Sequence, residues 1–269
     1  MKNNYKIIDS HCHIYPEKIA VRATQSISDF YDGMPIHSDG SLRRLREHGT
    51  ENGVDRFVVQ SVASSPARVT AINYFIADAI SASGGRLIGL GALHPDSLDI
   101  EGDIALIKQL GLKGVKLHAD IQKIAINDPR CFKIYEQLEG KLPILMHTGD
   151  SRYRYSNPDN IAPVLKAFKN LTVIGAHFGG WSVWEEAVKK LSGFENLYVD
   201  TSSTFGFTDL GFFNNVLSKY DSSRILFGSD YPTWNIGSEL DALFSLGLSA
   251  ETLRNILYGN CVRVYGLED

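Results

Sequence analysis

Cysteine is scarce in this chain. Cys12, Cys131 and Cys261 are the only three in 269 residues, and none forms a Cys-x-x-Cys pair. That excludes a disulfide framework and suits a reducing, cytoplasmic setting. Long apolar runs are missing too: nothing approaches the ~18 consecutive residues of a membrane span. The opening Met-Lys-Asn-Asn-Tyr passes into strand-like residues without an apolar signal-peptide region, so no targeting segment is expected. Charge of one sign is not concentrated, since 27 Lys and Arg against 31 Asp and Glu leave a net −4 without blocks. Neither nucleic acid nor an anionic membrane surface has an electrostatic footprint here, and a small-molecule substrate is the expected partner. Internal repeats, low-complexity tracts and linkers are absent, and no Gly-x-Gly-x-x-Gly follows the first strand, which disfavours a dinucleotide-binding open sheet.

What is present is an alternation of strand and helix signals. The apolar content of 43% is enough for a globular core, and the length fits one (β/α)8 barrel of about 250 residues. Strands are expected over residues 6–13, 55–62, 86–93, 112–118, 142–147, 171–177, 197–201 and 224–229. Helices are expected over 38–53, 66–83, 98–110, 128–139, 159–169, 182–191, 208–220, 238–246 and 249–265. The segment from Ile14 to His37, with Pro16, Gly33 and Pro35, reads as a long loop. Runs such as Leu-Pro-Ile-Leu-Met and Leu-Thr-Val-Ile-Gly-Ala have the continuous apolar character of parallel strands buried on both faces. The fold class is therefore α/β: a (β/α)8 TIM barrel, with allowance for distortion and an extra C-terminal helix, as one domain over residues 1–269. An open doubly wound sheet is the fallback.

The first strand ends in His11 and His13. Side chains at i and i+2 of a strand share a face, roughly 6.6 Å apart along the chain, so both rings can reach one ion at about 2.0–2.1 Å. Other polar clusters also fall at C-terminal strand ends, where barrel active sites are assembled. They are Asp9 on strand 1; Lys116, His118 and Asp120 on strand 4; His147 and Asp150 on strand 5; His177 on strand 6; Asp200 on strand 7; and Ser229-Asp230 on strand 8.

Asp-Ser-His-Cys-His, Gly-Val-Lys-Leu-His, Met-His-Thr-Gly, Gly-Ala-His-Phe-Gly-Gly and Phe-Gly-Ser-Asp-Tyr-Pro, in that order, resemble the amidohydrolase superfamily. The amidohydrolase-2 branch, with its aminocarboxymuconate-semialdehyde decarboxylase-like enzymes, is the nearest resemblance. Gly-Asn-Cys-Val-Arg-Val-Tyr-Gly-Leu at 259–267 resembles that branch's closing helix. The resemblance implies that His11, His13, His147 and Asp230 hold one metal, most often zinc in the family, with manganese(II) or iron(II) left open. It makes His177 a histidine that faces the substrate or backs the ligands; chemistry then suits a catalytic pair, with Asp230 accepting the proton of a metal-activated water and His177 stabilising the oxyanion. Lys116 forks the reading: carboxylated, it would bridge a second metal, but one ion per chain is favoured. TatD-like nucleases would need a strand-4 glutamate where Lys116 stands. The polymerase-and-histidinol-phosphatase family needs more ligand histidines than eight, some of them on loops, comfortably provide.

Substrate contacts are expected from His118, from Arg152 or Arg154 as a fork for a carboxylate, and from Trp181 and Tyr231 as pocket walls. The first functional expectation is a metal-dependent hydrolase that adds activated water to a small, carboxylated lactone, amide or ester. The alternatives are non-oxidative decarboxylation on the same scaffold and a non-catalytic metal- or ligand-binding barrel. Barrel helices are compatible with a homodimer, though no seam is legible.

Overall fold

The computed structural model describes residues 4–207 and 209–268. The ends of the expected domain, 1–3 and 269, and Thr208, the first residue of the helix expected over 208–220, lie outside the described residues. Eight strands run in sequence: β1 (Ile8–His13), β2 (Arg56–Gln60), β3 (Leu87–Ala92), β4 (Gly114–Leu117), β5 (Ile144–Met146), β6 (Val173–Gly175), β7 (Leu197–Asp200) and β8 (Ile225–Leu226). Each pairs in parallel with the next, in the order β1 to β8. The seam between last and first is closed by Ser10 N–H to Phe227 C=O at 2.8 Å and His13 N–H to Tyr231 C=O at 2.6 Å. The expected (β/α)8 barrel is the observed fold. Its strands are shorter than expected at the C-terminal ends of β5 and β8, where the chain leaves the sheet to present side chains at the rim.

Around the sheet run α1 (Ala20–Phe30), α2 (Leu42–Asn52), α3 (Val69–Ser81), α4 (Ile100–Gln109), α5 (Ala119–Gln122), α6 (Pro129–Leu138), α7 (Pro158–Ala167), α8 (Trp184–Leu191), α9 (Leu210–Leu217), α10 (Ile236–Ser245), α11 (Ala250–Arg254) and α12 (Asn260–Tyr265). Several open on the side-chain caps that sequence favours: Ser41 accepts from Arg44 N–H in α2, and Asp99 from Gly102 N–H in α4. Gly53 ends α2 in the left-handed conformation, φ 71°.

The stretch expected as a loop, Ile14–His37, contains α1. Its apolar positions Ile19, Ala23, Ile27 and Phe30 recur at three to four residues, the helical spacing. Ile19 at the N-cap contributes no side-chain bond, so the usual start signal is missing. The expected continuous helix 249–265 is interrupted by a wide π turn at Asn255–Gly259 between α11 and α12.

Two apolar layers result. The larger lies between the sheet and its helices. The smaller fills the barrel interior, where Ile8, Val58, Ile88, Leu90, Leu145, Ile174 and Leu226 meet Cys261 and Tyr265 of α12. The extra C-terminal helix therefore plugs the N-terminal end of the barrel. It is pinned there by Asn260 Nδ2 donating to the carbonyls of Ser222 (2.8 Å) and Ile225 (2.6 Å).

Candidate metal centre and cavity

The polar strand ends converge at the other end of the barrel. His11 Nδ1 lies 2.8 Å from Asp200 Oδ2. The carboxylate oxygen is the acceptor, so His11 carries its proton on Nδ1 and directs the Nε2 lone pair outward. That Nε2 is 3.2 Å from His13 Nε2 and 3.4 Å from Asp230 Oδ1, with His13 Nε2 3.6 Å from the same oxygen. Ligands bound at 2.0–2.1 Å in a tetrahedron stand about 3.3 Å apart, so the three spacings match a shared divalent ion. His13 Nδ1 and His147 Nε2 are buried without a hydrogen-bond partner. Donor set and spacing both fit a metal. Among the described residues, His11, His13 and Asp230 are the one group of three or more such ligands that converges.

A second chain of bonds orients the remaining histidines. His177 Nδ1 lies 3.0 Å from Ser202 C=O and 2.8 Å from Ser202 Oγ, which itself donates to Asp200. His177 is therefore protonated on Nδ1, and its Nε2 accepts from His147 Nδ1 at 3.1 Å. The consequence is a bare His147 Nε2, 3.8 Å from Asp120 Oδ2. His147 thus shares the cavity with His11 and His13 but stands outside their close group. His118 differs again. Its Nδ1 accepts from Ile121 N–H at 3.3 Å, leaving Nε2–H for the Tyr31 hydroxyl at 3.2 Å, and its ring stacks on His147 at 4.0 Å.

Electrostatics follow from burial. Desolvation holds His11, His13, His118 and His147 well below the ordinary imidazole value, with the Lys116 charge assisting, and holds His177 at about 3. The imidazoles are neutral donors. Lys116 is 1% exposed, its Nζ is 3.2 Å from His11 Nε2, and burial pulls its affinity for a proton down. Burial pushes the Asp230 carboxyl up. Its Oδ2 accepts from Ser203 Oγ at 2.5 Å, and Ser203 accepts from Trp234 Nε1 at 2.8 Å.

Backbone strain concentrates at the same rim. Asp230, His177 and Ser203 all have positive φ (59°, 58° and 48°), conformations non-glycine residues hold only where surroundings fix them. Gly149, φ 77°, crosses the backbone of Gly180 and Trp181 so closely that a Cβ would sit 2.5 Å from it. The glycine of Met-His-Thr-Gly is needed for that crossing, which sets the His147 loop against the His177 loop.

Above the ligands lies a cavity of about 620 Å³. His11, His13, Lys116, His118, His147, His177 and Asp230, all at strand ends, line it together with apolar residues of α1 and of the start of α3. Arg152, Arg154, Trp181 and Tyr231 are not among its lining residues. Arg152 forks onto Asp150 at 2.8 and 3.1 Å and reaches Phe30 C=O at 2.9 Å and Asp32 at 2.7 Å. Its guanidinium is committed, at 5.0 to 5.6 Å from the rings of Phe30, Tyr31, Tyr153 and Trp181. Tyr231 is buried with its hydroxyl on Ser41 C=O at 2.9 Å, and Trp181 packs behind Tyr31 at 5.2 Å. Sequence reasoning left Tyr31, Asp200, Ser202 and Ser203 without roles. Only Asp200 carried a signal, as the polar end of β7.

Fold and rim together define a parallel (β/α)8 barrel with a site that could hold a divalent metal at its C-terminal face. The chain belongs to the amidohydrolase family, whose model Amidohydro_2 matches residues 8–267. Among solved structures, an uncharacterised TIM-barrel protein from Bordetella bronchiseptica is similar at 22% identity, with 97% of this chain and 98% of that one covered and a TM-score of 0.78. A 5-carboxyvanillate decarboxylase from Sphingomonas paucimobilis is similar at 14% identity, covering 98% and 99%, TM-score 0.76. A dihydroxybenzoic acid decarboxylase from Polaromonas sp. JS666, with bound manganese and the inhibitor 2-nitroresorcinol, is similar at 17% identity, covering 98% and 97%, TM-score 0.74. No curated protein matches the chain. No helix among the described residues is long and apolar enough to cross a membrane.

Proposed function

We propose that this protein catalyses metal-dependent, non-oxidative decarboxylation of a small carboxylic acid. The observation that carries the reading is the cavity itself: apolar walls stand over a base of neutral imidazoles and Lys116, with Asp230 as the only lining carboxyl among the described residues. A carboxylate entering such a space loses water on its apolar side. Its concentrated charge then disperses as carbon dioxide departs, a change that a poorly hydrated cavity favours. The family membership and the two decarboxylases of like fold support the same reaction over hydrolysis, the first expectation from sequence.

His11, His13 and Asp230 would hold the ion, with His147 the further candidate. A divalent cation would supply Lewis-acid polarisation of substrate oxygens, and zinc and manganese both suit the donors. Lys116, buried at the base, supplies a compact cationic donor for a substrate oxygen. The carbon–carbon bond to the carboxylate breaks, its electron pair stays on carbon, and that carbon takes a proton from Asp230, which solvent restores. His177, locked by Ser202, keeps His147 in one tautomer. His118 offers a ring face to the substrate.

Metal-loaded protein should release carbon dioxide from members of an aryl and enoic acid panel and leave one deuterium at the vacated carbon in D2O. Opening of lactones or amides without carbon dioxide release would replace this reading with the hydrolytic one. Asp230→Asn should lower turnover by about 10²-fold or more.

A further inference from the structure

The cavity carries a charge pattern that the reaction alone does not require. Two arginines line its mouth: Arg22 on α1, and Arg68 at the end of the short turn Pro66–Arg68 that leads into α3. Both are exposed. Among the described residues, neither guanidinium has a hydrogen-bond or ion-pair partner. Arg43, Arg44, Arg130, Arg152 and Arg224 each pair with a carboxylate, and what sets Arg22 and Arg68 apart from the likewise unpaired Arg154 and Arg254 is that they line the cavity. The lining as a whole holds three cationic side chains, the buried Lys116 and the two exposed arginines, against Asp230 alone. This occurs in a chain whose net charge is −4. Much of the remaining lining is apolar, including Ile27 and Phe30 of α1, Ile72 and Phe75 of α3, and Ile121. A volume of about 620 Å³ lies in the range of pockets that enclose drug-sized ligands, more than one benzenoid ring fills.

We infer that the substrate is a two-ended acid: an apolar body with the reacting carboxylate at the metal end and a second anionic group at the far end, received by Arg22 and Arg68. This rests on the decarboxylase reading for the identity of the lower end. Guanidinium forks suit a carboxylate or phosphate, and a cationic mouth over low-dielectric walls draws anions inward.

The test compares biphenyl-4-carboxylate with biphenyl-4,4′-dicarboxylate, measured by calorimetry on the manganese-loaded enzyme, with carbon dioxide release assayed separately. Wild type should bind the diacid about fivefold more tightly or better, as two exposed charge pairs allow. The preference should shrink as salt rises from roughly 50 to 500 mM, and should fall to within about twofold in Arg22→Gln/Arg68→Gln while monoacid affinity holds. Arg22→Lys/Arg68→Lys should restore part of it. Equal affinity for the two acids in wild type, or a diacid preference that survives high salt or the double variant, overturns the inference. Diacid preference without carbon dioxide release would sink the reaction but not the anion site. Carbon dioxide release with equal affinities would do the reverse.

Discussion

At the scale of single residues, the site is governed by which ring nitrogen carries a proton. Asp200 decides this for His11, and Ser202 decides it for His177 and, through it, for His147. Partners of this kind typically contribute 10- to 100-fold in metal affinity. Asp200→Asn should therefore weaken manganese or zinc binding by about tenfold or more in chelator competition; unchanged affinity would remove Asp200 from the role. Gly149→Ala should lower stability by roughly 1–3 kcal/mol, because the added methyl meets the Gly180 backbone in a left-handed conformation. In a chain of this size that is a fall of several degrees in Tm by calorimetry. The histidines themselves were legible from sequence as polar ends of apolar strands. Their tautomers were not, since Asp200 reaches His11 from 189 residues away and Ser202 reaches His177 from 25, contacts that no local pattern reveals.

At the scale of elements, Arg152 connects parts that the sequence kept separate. Read alone, Arg152 and Arg154 look like a fork waiting for a substrate carboxylate. The structure instead joins Arg152 to Asp150 on its own loop, to Phe30 at the end of α1 and to Asp32 just beyond it, about 120 residues earlier. The helix it secures was itself hidden. Polar residues fill much of α1, Pro16 precedes it, and no capping side chain marks its start. Arg152→Ala should speed amide hydrogen exchange over residues 20–36 while leaving the strands unchanged, and Arg154→Ala should not; equal exchange in both variants would deny the latch. Loosening α1 should also raise KM more than it lowers kcat, because α1 forms one wall of the cavity and Tyr31 fixes His118.

At the scale of the whole molecule, eight alternating units made the barrel readable. Parallel strands covered on both faces must be apolar throughout, and their polar ends then stand out. The plugging of the interior by Cys261 and Tyr265 was not readable, because an amphipathic terminal helix looks the same whether it caps a barrel or lies along its side. Away from the site, Arg130 holds the Asp128 carboxyl at about 2, below its ordinary 3.8. A depressed carboxylate stabilises the fold above pH ~4 and loses that contribution as pH falls towards 2. Arg130→Ala should lower stability modestly near pH 7, modestly because the pair is exposed, and the deficit should shrink towards zero as pH falls to about 2, read by denaturant unfolding across that range. The plug has a further consequence for folding. Ile8 of β1 shares its interior cluster with Cys261 and Tyr265 of α12, about 250 residues further along the chain. His11 and His13 on β1 meet Asp230 beyond β8 only when that same seam is shut, so an ion bound at the rim should favour the closed barrel over any open sheet.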